Sequence, residues 1–249
     1  MNDEFSIAAV ICAAGSSSRM KGVKKEYRTL DALDDEGNPL TVLGAVVTAF
    51  AASFRINTIV ITVPIAPEHG ECNARKALPS QFLQASGKPD KPQLLFVPGG
   101  SSRRISVHHA LSLLVAFHPN YVLIHDGARP WIDADLIERT IDAVLTHKAV
   151  IPVLPLIETP KEIGDTGGVH GVQTVTRHLR RAYIVTAQTP QAFAFPAILY
   201  AHEKAAVRES QDGIDYTDDA EVWGEFCGPV TVIRGSPDNK KITFPHDLK

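Results

Sequence analysis

The sequence predicts an α/β fold: a single Rossmann-like domain over residues 1–249, with a mostly parallel sheet and a projecting β-arm at about residues 157–185. Three observations carry this reading. Short apolar runs rich in β-branched residues alternate with helical periodicity, and the order strand, loop, helix implies parallel strands joined by right-handed crossovers. The runs empty into turns rich in glycine and serine, such as Gly15-Ser16-Ser17-Ser18 and Gly99-Gly100-Ser101-Ser102. Between Ile157 and Val185 the helical period disappears, and Gly164, Gly167, Gly168 and Gly171 separate β-prone pieces.

Ile7 to Ala14 has the length and composition of a central buried strand, and Gly15 breaks it. Leu30 to Leu40 is polar with turn formers at its end, which suits a surface excursion or a short hairpin. Thr41 caps a helix whose Leu43, Val46, Val47, Phe50 and Phe54 share one face. Thr58 to Val63 is a strand ended by Pro64, and a helical piece follows around Cys72 to Leu83. Leu94 to Val97 is a third strand, after which Ser101 or Ser102 caps a helix defined by Val107, Leu111, Leu114 and Val115. Tyr121 to His125 is a fourth strand; Asp133 caps the next helix, with Ile137, Ile141, Val144 and Leu145 facing inward. Ala149 to Leu156 is a fifth strand. Within the arm, Val172 to Val175 and Tyr183 to Val185 read as β. Thr189-Pro190-Gln191 leads back to the body, Pro196 opens a helix to about Ser210, Thr217-Asp218-Asp219 caps another, and Val230 to Ile233 is a late strand.

Composition narrows the function. A chain of 249 residues that is 44% hydrophobic buries a substantial core. Its formal charge of -3 disfavours a general nucleic-acid or membrane-surface binder, because neither partner rewards a slightly acidic surface. Cys12, Cys72 and Cys227 are far apart and form no C-x-x-C, as expected in a reducing compartment. The acidic start Met1-Asn2-Asp3-Glu4 precedes an apolar run too short for a signal sequence or a bilayer span, so a cytoplasmic location is expected.

Basic residues instead concentrate locally. Arg19, Lys24 and Lys25 follow the first strand, Arg129 follows Asp126 at the end of another, and Lys241 lies near the carboxyl end. A parallel sheet gathers such strand ends at one edge, where ligands bind. Flexible backbone donors, several cations and one carboxylate suit a nucleoside triphosphate with Mg²⁺. Neither the Walker phosphate loop nor the Gly-x-Gly-x-x-Gly of dinucleotide enzymes is present, so the cradle is of another type and an oxidoreductase is disfavoured.

These residues resemble a known family. Ala13 to Met20 with Lys25 is similar to the nucleotide-binding loop of sugar- and polyol-phosphate nucleotidyltransferases. His125-Asp126-Gly127-Ala128-Arg129-Pro130, Thr189-Pro190-Gln191, Thr217-Asp218-Asp219-Ala220 and Asn239-Lys240-Lys241-Ile242-Thr243 narrow the resemblance to the 2-C-methyl-D-erythritol 4-phosphate cytidylyltransferases of the non-mevalonate isoprenoid pathway. The resemblance implies that Arg19, Lys25 and Lys241 stabilise charge at the transferred phosphate, while Ala14, Gly15, Gly100, Ser101 and Ser106 hold the nucleotide. It implies that Asp126 lies beside Mg²⁺ and the polyol, with Arg129 supporting its loop. It further implies that Thr159 and Arg181 reach the acceptor from a partner subunit through the arm of a homodimer, with Thr217 on the same substrate; Arg177 is the second choice for the arm arginine. CTP and a polyol phosphate are the expected ligands. The chain departs from the family pattern at Ser17, where glycine is usual, at Lys24, where proline is usual, at Glu26, where glutamine is common, and at Ser101, where aspartate is usual. The family's final helix is also missing.

Simpler readings compete with some of these assignments. His125 ends an apolar strand and reads as a hydrogen-bonded core residue, so no catalytic role is assigned to it. Thr217-Asp218-Asp219 reads first as a helix cap, and Lys240-Lys241 as a solvated pair. Ribitol 5-phosphate is the nearest alternative acceptor, and a nucleotide-binding regulator without catalysis is the alternative of another class.

Overall fold

A computed structural model describes residues 5–17, 20, 24–66, 70–83, 91–164 and 173–248. The first apolar run forms strand β1 (Ile7–Cys12). Its side chains alternate between two cores: Ile7, Ala9 and Ile11 join one, Ala8 and Val10 the other. A strand covered on both faces has no solvent side to be polar, which explains the unbroken apolar run.

The polar stretch after it is a hairpin, β2 (Thr29–Leu33) paired antiparallel with β3 (Pro39–Thr41). Thr41 then caps α1 (Val42–Ala51), its Oγ1 accepting the Gly44 N–H at 2.9 Å. Leu43, Val46, Val47 and Phe50 are fully buried, but the helix stops at Ala51 and Phe54 is 92% exposed. The helical spacing of Phe54 was therefore coincidental. Next come β4 (Ile56–Val63), the short helices α2 (Glu71–Lys76) and α3 (Ser80–Leu83), and β5 (Gln93–Pro98). Ser102, not Ser101, caps α4 (Arg103–Leu114) by accepting the Ile105 N–H. Val115 falls past the end of that helix and is half exposed. Strand β6 (Tyr121–Asp126) leads to α5 (Ala134–His147), capped by Asp133 at 2.7 Å, and then to β7 (Ala149–Pro155).

The arm region differs from expectation at both ends. β8 (Lys161–Ile163) and β9 (Val175–His178) make their own exposed two-stranded antiparallel sheet. The second β-piece starts at Val175, and Val172 lies outside the described residues. Arg181–Tyr183 is a 3₁₀ turn, and Val185 opens β10 (Val185–Ala187), which belongs to the main sheet beside β7. The return segment holds β11 (Gln191–Ala194), a strand that the sequence reading passed over. Four residues give too little periodicity to register as a strand. It is followed by α6 (Ala197–Asp212), α7 (Asp219–Phe226) and β12 (Thr231–Arg234).

The main sheet runs β10-β7-β11-β6-β1-β4-β5, with β12 on the other side of β7. β6, β1, β4 and β5 are mutually parallel, and β12 is parallel to β7. β11 is antiparallel to both β6 and β7, so the sheet is mixed with a mostly parallel core. Helices α1, α2 and α5 cover one face and α4, α6 and α7 the other. Because β1, β4, β5 and β6 point the same way, their carboxyl-terminal loops meet at one edge. Among the described residues, no helix is long and apolar enough to cross a membrane.

Candidate active site

At that edge lies a cavity of about 480 Å³, a size suited to a small ligand. Its lining includes Cys12 from the end of β1, Ala14, Gly15 and Ser17 from the loop after it, Lys25 and Glu26 beyond that loop, and Thr62 from β4. Gly100, Ser101, Ser102, Arg103 and Ser106 come from the start of α4, Asp126 and Ala128 from the end of β6, and Lys241 and Thr243 from the last segment. Eight of the residues assigned to the site from the sequence thus line one cavity: Ala14, Gly15, Lys25, Gly100, Ser101, Ser106, Asp126 and Lys241. Arg19 lies outside the described residues.

Asp126 is the electrostatic centre. Its Oδ2 meets Lys241 Nζ at 2.9 Å and Arg129 Nε at 3.2 Å, and its Oδ1 faces Arg103 Nε at 3.6 Å. Burial by itself favours the protonated carboxyl, but Arg103, Lys241 and Arg129 together outweigh burial and hold Asp126 far below the usual carboxylate range. It is a permanent anion with one oxygen less engaged than the other. Arg129 does not line the cavity; it braces the loop, with Nη1 donating to the Asn239 carbonyl at 2.8 Å.

Hydrogen bonds from below fix the position of Asp126. Its N–H donates to Thr189 Oγ1, which lies 3.0 Å from His125 Nδ1. The Arg129 carbonyl can only accept, so in the neutral ring Nε2 carries the proton and donates to it, and the bare Nδ1 accepts from the Thr189 hydroxyl. Burial pushes His125 down to about 4, so this bonded ring is neutral and structural. Gly127 passes so close to β1 that a Cβ there would stand 2.9 Å from the Cys12 carbonyl oxygen, which cannot retreat without breaking the sheet. The last segment is stitched to the same loop: Ile242 N–H donates to the Ala128 carbonyl, and the buried Asn239 Nδ2 to the Thr189 carbonyl. Those bonds bring Lys241 to the cavity from far along the chain.

The loop after β1 separates the two adjacent lysines. Lys24 is buried, donates to the Gly15 carbonyl and pairs with Glu26 at 2.9 Å, with side chains 7% and 4% exposed. Lys25 lines the cavity, its Nζ donating to the Ile242 carbonyl at 2.8 Å. The two departures at Lys24 and Glu26 are therefore partners beneath the loop. Ser17 has a φ of 52°, the left-handed region that glycine adopts at less cost. Its hydroxyl lies 3.3 Å from both Glu26 Oε2 and the Lys25 N–H, tying the bend to the lysine that follows.

Three assigned residues are elsewhere. Thr217 is exposed and donates to Glu221 Oε2 beside the start of α7, where Asp218 is the cap. Thr159 and Arg181 are exposed in the arm region; Arg181 donates to the Ile157 carbonyl, and Arg177 pairs with Glu162 at 2.8 Å. None of them lines the cavity of its own chain. Arg103 is the residue that sequence reasoning missed. It reaches Asp219 Oδ2 at 2.7 Å as well as facing Asp126. A signal was present: Arg103 and Arg104 open a helix, where the macrodipole disfavours cations, so carboxylates must stand nearby. Arg104 finds Glu209 at 2.6 Å.

Comparison with known proteins follows the same lines. Residues 7–249 match the family IspD: 2-C-methyl-D-erythritol 4-phosphate cytidylyltransferase. The chain is 35% identical over 244 residues to a bifunctional enzyme IspD/IspF of Bartonella henselae, covering 98% of this chain and 55% of that one. A bifunctional enzyme IspD/IspF of Chelativorans sp. is 38% identical over 247 residues, with 97% and 53% covered. The chain thus spans about half the length of the curated relatives it matches. Among solved structures, the 4-diphosphocytidyl-2C-methyl-D-erythritolsynthase of Anaerococcus prevotii is similar with a TM-score of 0.74 and 25% identity, over 99% of this chain and 94% of that one.

Proposed function

The chain belongs to the 2-C-methyl-D-erythritol 4-phosphate cytidylyltransferase family, and from that premise we propose that it transfers CMP from CTP to 2-C-methyl-D-erythritol 4-phosphate and releases pyrophosphate. The observation that carries the proposal is that Asp126, ion-paired with Lys241, Arg129 and Arg103, lines the same cavity as the Gly15 loop and Lys25. That charge pattern supports a site for a polyanion reacting at phosphorus.

In this reading an oxygen of the acceptor phosphate attacks the α-phosphorus of CTP in line as the bond to pyrophosphate breaks. The acceptor phosphate is already ionised near neutral pH, so the site needs no general base, and the buried neutral His125 offers none. Lys25, Lys241 and the Arg19 of the sequence pattern offset the charge that grows on the phosphoryl oxygens. Ala14, Gly15, Gly100, Ser101 and Ser106 hold cytosine and ribose. Asp126, Arg129 and Thr217 orient the acceptor, joined by Thr159 and Arg181 of a partner subunit whose β8–β9 hairpin makes a homodimer. Mg²⁺ suits Asp126, because a hard cation held mainly by substrate phosphates needs one or two carboxylate oxygens and, among the described residues, Oδ1 faces only Arg103 Nε, at 3.6 Å; when bound, it would neutralise phosphate charge. A cytoplasmic enzyme of one domain fits the free Cys12, Cys72 and Cys227.

The test is pyrophosphate release with CTP, Mg²⁺ and methylerythritol phosphate. Rapid release that requires the methylerythritol phosphate is expected. Preference for ribitol 5-phosphate overturns the acceptor, and CTP binding without release with either acceptor overturns catalysis.

A further inference from the structure

Arg103 occupies a position that the reaction just proposed does not explain. Its partner Asp219 is 1% exposed and held on every side. Asp219 Oδ2 takes Arg103 Nη1 at 2.7 Å, Oδ1 lies 3.2 Å from His202 Nε2, and the N–H groups of Asp219 and Ala220 both donate to Gln191 Oε1. Gln191 also donates to Asp218 Oδ2. An anchor fixed by that many bonds does not follow the arginine; the arginine follows it. Because the guanidinium is a rigid plane, pinning Nη1 on Asp219 while the helix start holds the other end of the side chain restricts where Nε can lie. It lies 3.6 Å from Asp126 Oδ1, an ion-pair distance.

The other end of Arg103 is equally fixed. It is the first residue of α4, directly after Ser102, whose carbonyl accepts from Ser106 Oγ while that same oxygen accepts the Gly100 N–H. The turn that presents Gly100 and Ser106 to the cavity is therefore continuous with the arginine. On the far side, Asp219 lies two residues beyond Thr217. One side chain spans the nucleotide loop, the central carboxylate and the loop assigned to the acceptor.

We propose that Arg103 is a positioning residue: clamped by Asp219, it fixes the Asp126 carboxylate in its reactive orientation and registers the nucleotide loop against the acceptor side. Lys241 and Arg129 both draw on Oδ2, and among the described residues Arg103 is the cation on the Oδ1 side that opposes rotation of the carboxylate toward them. This inference rests on the cytidylyltransferase reading, and its test separates the two.

The experiment is a double-mutant cycle of Arg103→Lys with Asp126→Asn, following pyrophosphate release, kcat and the KM for CTP. Lysine keeps the charge on Asp219, but a single ammonium cannot span both carboxylates. The expected result is a kcat about 10-fold lower or more in Arg103→Lys, with KM for CTP within about 3-fold of wild type, and a change of less than about 2-fold when the same substitution is made in Asp126→Asn. Equal losses in both backgrounds overturn the proposal, since Arg103 then acts independently of Asp126. A raised KM for CTP at unchanged kcat also overturns it, indicating direct contact with the nucleotide. A lower melting temperature with unchanged kcat reduces Arg103 to a structural strut. Should Arg103→Lys fail to fold, Asp219→Asn, which frees the arginine, replaces it in the same cycle with the same expectations. Absence of turnover in the wild type overturns the reaction itself, whereas additive losses in an active enzyme overturn only the role of Arg103.

Discussion

Lys24 and Lys25 are adjacent in sequence but differ in surroundings, and exchanging each for methionine separates their roles. Lys24→Met keeps most of the side-chain volume but strands Glu26, whose side chain is 4% exposed, as an uncompensated charge. Breaking a buried pair from one side costs about 3–5 kcal/mol. For a domain of this size each kcal/mol lowers the melting temperature by about 2–4 °C, so a fall of about 6–20 °C is expected. Adding Glu26→Gln to Lys24→Met removes the stranded charge and recovers most of that loss. Lys25→Met loses a hydrogen bond to the Ile242 carbonyl, about 1 kcal/mol, but lowers kcat by about 10²-fold, as expected for one donor to a developing oxyanion. Thermal melts by circular dichroism and pyrophosphate release at 25 °C measure the two quantities on the same samples. A Lys24→Met enzyme that melts normally and is catalytically crippled, beside a fully active Lys25→Met enzyme, refutes the assignment.

Other expectations follow from the same geometry. Ser17→Gly and Ser17→Ala both lose the two hydroxyl contacts, but only glycine relieves a left-handed backbone worth about 1 kcal/mol, so urea denaturation should rank glycine above alanine; the reverse order removes the strain argument. His125 is neutral when folded, with a pKa lowered from 6.5 to about 4. The unfolded chain therefore binds a proton first, and stability is complete above pH 6.5 and declines by about 3 kcal/mol on acidification to pH 4. Asp126 and Asp219, both held below the ordinary carboxylate range, extend the decline below pH 4. A urea midpoint that is flat between pH 7 and pH 4 contradicts this. Sedimentation should give twice the 27.0 kDa of one chain. Mixing Arg181→Ala with Asp126→Asn enzyme should restore part of the activity if the arm arginine serves the partner's site, and no restoration removes Arg181 from that role.

The fold was legible where local signals were long. β1 alternates between two cores and has no polar position to confuse its assignment; the caps at Thr41 and Asp133, and the capping stretch Thr217-Asp218-Asp219, were read because a short polar side chain before a periodic run has one common use. β11 was missed because its four residues derive their strand character from β6 and β7 on either side, a tertiary effect that local sequence does not carry. Phe54 and Val115 continue the helical spacing beyond the helix ends, where spacing has no meaning. In the site, strand-end glycines marked the loops, but Arg103 depends on Asp219, 116 residues away, and nothing in its own segment names that partner. Lys24 and Glu26 looked like two independent departures from a pattern and are one ion pair.

The charge balance of the cavity leads to a last expectation. Arg103, Arg129 and Lys241 pair with Asp126, Lys25 lines the same cavity and Lys24 stands on the lining Glu26, with Asp219 behind Arg103, so among the described residues five cations face three carboxylates in a chain whose overall charge is negative. Their mutual repulsion opposes folding, and a triphosphate relieves it on binding only the native state. At 100 times its dissociation constant a ligand adds about 2.7 kcal/mol, which corresponds to about 5–11 °C in a domain of this size. CTP should therefore raise the melting temperature by that amount, and the shift should shrink as sodium chloride is raised from 0.05 to 0.5 M, where screening shortens from about 14 to about 4 Å. Cytidine at the same concentration should give little, because in the proposed reading it would engage the loop at Gly100 and Ser106 but none of the cations. Part of the CTP effect should survive in EDTA if, as proposed, Lys25 and Lys241 act on the phosphates themselves. A cytidine shift equal to that of CTP, insensitive to salt, means that the cations do not hold the phosphates, and Asp126 with its three partners is then a structural cluster beside a nucleoside pocket.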